Sequence, residues 1–180
     1  MPITKRASAA LAQRNGAALE RDLDRYHADL RREGTYVIRT GPPMRAVHRR
    51  SGVVWLPIPG AGGVPDYHAN VGGMVAFDAK SSDGKSWGFD LLKQEQAGML
   101  ESLTHTGVSA IYLRLEGRDW WIPWHRLAER WYEWAAPRFT RAKPGTASLT
   151  TKDCAELGTE VHGCDWRRAL TGVAVDPCPF

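Results

Sequence analysis

Apolar positions along the 180-residue chain change their period several times, and each change marks a new element. Between Ser8 and Glu33, the residues Leu11, Leu19, Leu23, Tyr26 and Leu30 recur at helical spacing. This predicts an amphipathic helix that Gly34 ends, with Asn15-Gly16 either bending it or marking its start. Thr35 to Thr40 reads as a short strand stopped by Gly41-Pro42-Pro43. Met44 to Leu56 predicts a hairpin or bent strand around Arg49-Arg50-Ser51-Gly52, and Pro57 to Gly63 a loop. The run Gly73 to Lys80 is apolar, short and led in by two glycines, the pattern of a buried strand, with a hairpin turn at Asn70 to Gly73 before it. Phe89 to Leu103 returns to the helical period, with Phe89, Leu92, Met99, Leu100 and Leu103 on one stripe and Gln96 inside it. Val108 to Leu115 and Trp120 to Pro123 are strands, turning at Glu116-Gly117-Arg118-Asp119, and His125 to Ala135 is a helix bearing Leu127, Trp131 and Trp134. The order helix, three strands, helix, two strands predicts an α/β domain with a mixed central sheet flanked by helices. Residues 1–136 form this domain, with 44–63 protruding from it. Residues 137–180 are a basic linker (Arg138, Arg141, Lys143) and an extension that packs on or trails the same domain, with helical stretches at Thr150 to Leu157 and Asp165 to Leu170.

Chemistry concentrates around one strand. Side chains two apart on a strand share a face, so Asp78 and Lys80 point the same way. Asp66 lies before the hairpin turn, and the returning strand can bring it beside Asp78. Two carboxylates and an ammonium then converge at one edge of a sheet. A hard divalent cation takes oxygen ligands, and Mg2+ commonly uses one or two carboxylates with waters and phosphate oxygens. The competing reading is a plain salt bridge from Lys80 to either aspartate. Against it stands the apolar character of a strand that does not carry charges without cause. An inward-facing Gln96 also needs hydrogen-bond partners, which carboxylate-bound water would supply.

The ordered series Gly16-Ala17-Ala18-Leu19-Glu20, Tyr26, Gly34 with the strand after it, Gly41-Pro42-Pro43, Asp66-Tyr67, Phe77-Asp78-Ala79-Lys80, Gln96 with Met99, Gly107 to Leu115 and Trp121-Ile122-Pro123 resembles the PD-(D/E)xK nucleases. Within them it is similar to the RecU-type Holliday junction resolvases. The resemblance spans about residues 13–127. It implies a restriction-endonuclease-like core and a metal-dependent DNA endonuclease that resolves four-way junctions by paired nicks. It further implies Mg2+, replaceable by Mn2+, held by Asp66, Asp78, Glu20 and the main-chain carbonyl of Ala79, with Lys80 and Gln96 in supporting roles. A homodimer follows from the same resemblance, and its two-fold symmetry suits two matched cuts. The long stalk of that family is reduced here to about residues 44–63. Alternatives are another nuclease of the same core, for nicking, restriction or repair, and a catalytically silent DNA-binding module.

Charge adds a partner class. Residues 1–50 hold eleven Lys or Arg against five acids, while the whole chain is only +4. A basic third beside a carboxylate site suits a polyanion whose phosphates are steered to a metal. Arg14, Arg45, His48, Arg49, Arg50, Trp55 and Lys85 are the candidate DNA contacts, whereas Arg21, Arg25, Arg31 and Arg32 alternate with acids as a solvated helix face does. Trp55 among cations has the chemistry to stack on an exposed base, with sheet packing as the other reading. The remaining tryptophans suit a core or a subunit interface, and His68 reads as a strand residue facing away from the site. No run of about 18 apolar residues predicts a membrane span, and no apolar segment follows Lys5-Arg6 to predict secretion, so a cytoplasmic setting in a bacterial or virus-infected bacterial cell is expected. Cys154, Cys164 and Cys178 with His162 match no short zinc spacing and read as reduced thiols.

Overall fold

The computed structural model describes residues 5–41, 44–49, 52–57, 64–136 and 148–170. It opens with helix α1 (Lys5–Arg32), unbroken at Asn15-Gly16. Leu19, Leu23 and Leu30 are buried along one side of it. Gly34 ends the helix at φ +86°, a backbone conformation open to glycine, and the chain closes with Thr35 N–H donating to Leu30 O at 2.9 Å.

Strands β1 (Tyr36–Arg39), β4 (Tyr67–Asn70), β5 (Met74–Ser82), β7 (Gly107–Leu115), β8 (Arg118–Pro123) and β10 (Thr159–Val161) form a six-stranded sheet in the order β1-β4-β5-β7-β8-β10. Only β5 and β7 run parallel, and the return between them passes through helix α2 (Gln94–Thr104). Strands β2 (Met44–Arg49) and β3 (Gly52–Pro57) pair with each other in a separate hairpin. Strands β6 (Ser86–Gly88) and β9 (Ser148–Thr150) make a second small pair.

Alternation along the strands divides the core between two faces. Phe77, Ala110, Tyr112 and Trp121 face α1, while Ile111, Leu113, Leu115, Trp120 and Ile122 face α2, α3 (Trp124–Ala135) and α4 (Thr151–Leu157). Trp87, Trp120, Trp121, Trp124, Trp131, Trp134 and Trp166 are all buried, in the core role expected of them. Residues 148–170 belong to the same body: β10 extends the sheet beside β8, and Trp166 stacks on Trp121 at 5.7 Å. Cys154 and Cys164 are free thiols buried on opposite faces of the sheet.

Three features depart from the sequence reading. The stretch Phe89 to Leu103 is two elements, because a 3-10 turn (Phe89–Leu91) is followed by extended backbone at Leu92 and Lys93 before α2 begins at Gln94. Met99 of the expected apolar stripe is consequently 38% exposed. The short strands β6, β9 and β10 have only three residues each, too few for a periodic signal.

Candidate active site

The hairpin joining β4 and β5 brings the two aspartates together. Its turn is closed by Val71 N–H on Gly73 O and by Gly72 at φ +87°. Tyr67 pairs with Phe77, so the next position outward sets Asp66 opposite Asp78. Asp66 Oδ2 accepts the Ala79 N–H at 2.9 Å. On a strand the N–H and C=O of one residue point to the same edge, so the Ala79 carbonyl projects to the side of Asp66.

Asp78 is fully buried on the α2 face, next to Ile111 of β7. Its carboxylate is ion-paired with Lys80, which is 16% exposed, and accepts the Gln96 amide at 3.0 and 3.1 Å on its two oxygens. The orientation of that amide is itself fixed: Lys93 N–H donates to Gln96 Oε1 at 3.3 Å, leaving Nε2 for Asp78. Gln96 is thus the third residue of α2 and caps its start while holding the site, an arrangement that satisfies one of the orphan N–H groups of the first turn. The sequence carried half of this signal, a Gln at the position where a capping box needs one. Lys93 in place of Ser or Thr hid the other half.

Two adjacent carboxylates and one ammonium leave a charge the site does not neutralise by itself. Burial and the neighbouring Asp78 charge push the Asp66 carboxyl up to about 6, against smaller opposing pulls from Lys80 and the Ala79 N–H. The donor set is two hard carboxylates and a main-chain carbonyl, which fits a divalent cation of the Mg2+ kind.

Glu20 stands elsewhere. Its helix packs on the Phe77 face of the sheet, across from the face that Asp78 occupies. Its carboxylate is ion-paired with Arg39, which also bonds Asp24 at 2.8 Å. Among the described residues no three His, Cys, Asp or Glu side chains gather as a metal site. His68 pairs with Ala76 and so shares the Asp78 face of the sheet, half-buried, rather than facing away.

The candidate DNA contacts come from α1, the β5–β6 turn and the β2–β3 hairpin. Arg14 and Lys85 are exposed on α1 and on the β5–β6 turn, and Asn15 beside Arg14 is hydrogen-bonded to Asp83 of that turn. Arg45, His48, Arg49 and Trp55 occupy backbone positions on the β2–β3 hairpin opposite Leu56, Val53, Gly52 and Ala46. Arg50 lies outside the described residues, as do the linker 137–147 and Cys178. Arg25 and Arg32 pair with Asp22 and Asp29 one turn away, as a solvated helix face does, whereas Arg31 leaves that pattern and donates to Val37 O of β1 at 3.1 Å. No helix among the described residues is long and apolar enough to cross a membrane.

No family model and no curated protein matches the chain. Among solved structures it is similar to Archaeoglobus fulgidus Hjc, a Holliday junction resolvase from an archaeal hyperthermophile, with a TM-score of 0.47 and 16% identity over 80% of this chain and 94% of that one. A likeness of that degree carries no argument about chemistry, which rests on the side chains of the site.

Proposed function

We propose that the chain is a metal-dependent DNA endonuclease that hydrolyses phosphodiester bonds, with four-way junctions as its substrate and a homodimer as its working form. The observation that carries this reading is the buried Asp78 carboxylate at the middle of β5, just beyond the end of β4, flanked by Asp66, paired with Lys80 and held by Gln96. Asp66, Asp78 and the Ala79 carbonyl would hold Mg2+, with Mn2+ as a substitute. When bound, the ion offsets charge on the phosphodiester and makes water acidic enough to attack it.

The chain's own groups supply the rest. Gln96 keeps Asp78 in one orientation, and the Lys93 N–H keeps Gln96 in the orientation that donates. The Lys80 ammonium, still 16% exposed, can turn from Asp78 toward a phosphate oxygen once a cation shares the carboxylate. Glu20 would have to leave Arg39 to take part. The basic positions of the β2–β3 hairpin, with Arg14 and Lys85, would carry the phosphate contacts.

The test is cleavage of end-labelled four-way, flapped and plain duplex DNA in Mg2+, in Mn2+ and in EDTA, with sedimentation to read the assembly state. Asp78→Asn and Asp66→Asn should cut at least about a hundredfold more slowly while still binding DNA, as expected when charge stabilisation at the reacting centre is lost. Cleavage by either variant at the parental rate would sink the two-carboxylate site. Equal cleavage of all three substrates would keep the nuclease and remove the junction.

A further inference from the structure

A second feature lies at the same end of α2. Between the start of α2 and the end of α3 is a pocket of about 550 Å³, with Trp131, Tyr132 and Trp134 on one side and Asp90, Lys93 and Glu95 on the other. Its volume falls in the range of ordinary small-ligand sites. Tyr132 stands T-shaped against Trp131 at 5.2 Å and against Trp124 at 6.3 Å, yet remains 42% exposed. Trp131 is buried, and its indole N–H has no hydrogen-bond partner among the described residues. Lys93 and Glu95 are exposed, and the Lys93 N–H is the group that orients Gln96 on Asp78. Pocket and carboxylate site therefore share the first turn of one helix.

We propose that this pocket receives one unpaired nucleobase of the DNA strand whose backbone lies at Asp66 and Asp78. The inference rests on the DNA-enzyme reading and extends it to the substrate: DNA in which a base next to the cut is already unstacked, or is easily drawn out. Every base has a π-face to lay on the exposed Tyr132 ring, which the buried indoles of Trp131 and Trp124 back from behind, and such stacking is tolerant of sequence. The rim selects a base over a phosphate. Asp90 and Glu95 repel a phosphate, but their oxygens accept the exocyclic amino groups of adenine, cytosine and guanine. Lys93, one residue before the helix, is left to meet the phosphate of that nucleotide outside the pocket.

Binding measured in EDTA separates this inference from catalysis. The probes are a four-way junction and a single-stranded tail, each carrying 2-aminopurine at the unpaired position, and a blunt duplex of the same length. Binding of the first two should quench the probe. Tyr132→Ala should weaken both by about fivefold or more, the loss expected for one base stack, with duplex affinity unchanged and Tyr132→Phe restoring the parental value. Equal losses on all three DNAs, or no loss on any, would overturn the pocket. Deoxyadenosine monophosphate gives a readout without a DNA complex: its addition should shift the Trp131 indole N–H resonance in the wild type and less in Tyr132→Ala. An unmoved resonance would refute the base site. Should the protein bind no DNA while that shift persists, the nuclease reading would fail and the base pocket would stand.

Discussion

Replacing Asp78 by Asn tests the electrostatics of the site without any substrate. The Asp66 carboxyl is pushed up from the usual 3.8 to about 6, so its neutral form is favoured. Burial is the larger cause and the Asp78 charge the second, while Lys80 and the Ala79 N–H pull the other way. Asp78→Asn keeps the side-chain shape, so burial stays and only the neighbouring charge goes. The Asp66 midpoint should fall by roughly one pH unit, stopping short of 3.8 because desolvation remains. Lys80→Ala should move it the other way, above 6, since a favourable cation is removed. The assay is a carboxyl 13C titration of Asp66 in metal-free buffer, with urea midpoints to confirm that both variants fold. Shifts in the same direction, or a midpoint that stays near 6 in Asp78→Asn, would refute the geometry in which Asp78 and Lys80 act on Asp66 with opposite sign. Metal should show the same dependence. Protection of the wild type by Mg2+ in thermal melts should be full at pH 7.5 and fade as pH falls below 6, where the proton on Asp66 competes with the cation.

Other outcomes follow from single contacts. His27 is buried, accepts the Trp166 indole N–H at 3.0 Å, and is pushed down to about 4 by burial, opposed by Asp24 and assisted by Arg31. Its contribution of about 3 kcal/mol is present above pH 6.5 and is lost as pH falls through 4, a slope in urea stability that His27→Gln should flatten. Lys93 has φ −72° and follows extended backbone at Leu92, so Lys93→Pro fits the chain while deleting the N–H that orients Gln96. Its single-turnover cleavage should fall about fivefold below that of Lys93→Ala, the worth of one hydrogen bond, and equal rates would remove the capping argument. A Cβ at Gly107 would stand 2.2 Å from Met74 O, so Gly107→Ala should force β5 and β7 apart and cost about 1–3 kcal/mol in a denaturant titration.

Much of the site was legible because it is local to one hairpin. The turn at Asn70 to Gly73 fixes the register, the register sets Asp66 across from Asp78, and strand alternation adds Lys80 to the same face. Gln96 was legible as an amide on an apolar stripe, but its partners were not. It meets Asp78 across 18 positions, and its second bond depends on a break at Leu92–Lys93 that a continuous helical pattern conceals. The C-terminal strands were hidden for a different reason. β9 and β10 are three residues long, and each is made by pairing with a distant strand, β6 and β8, rather than by its own sequence. The half-buried network of Arg114 with Asp22 and Asp119 was equally silent, since its members come from α1, β7 and β8.

Glu20 shows how the fold constrains the chemistry. A helix stripe of Leu19, Leu23 and Leu30 must lie on an apolar sheet face, and the face it covers is that of Phe77 and Tyr112. Alternation then sends Asp78 to the opposite face, under α2. Glu20, one residue after Leu19, is left at the margin of the α1 layer, where Arg39 of the edge strand reaches it. Any contribution from Glu20 to a cation must therefore compete with Arg39. Arg39→Ala discriminates the two roles. If Glu20 only anchors β1 to α1, the substitution lowers stability and leaves Mg2+ affinity alone, and loss of an exposed pair costs only about 0–1 kcal/mol. If Glu20 shares the cation, freeing it raises Mg2+ affinity in a calorimetric titration, and Glu20→Gln in the same background abolishes the gain.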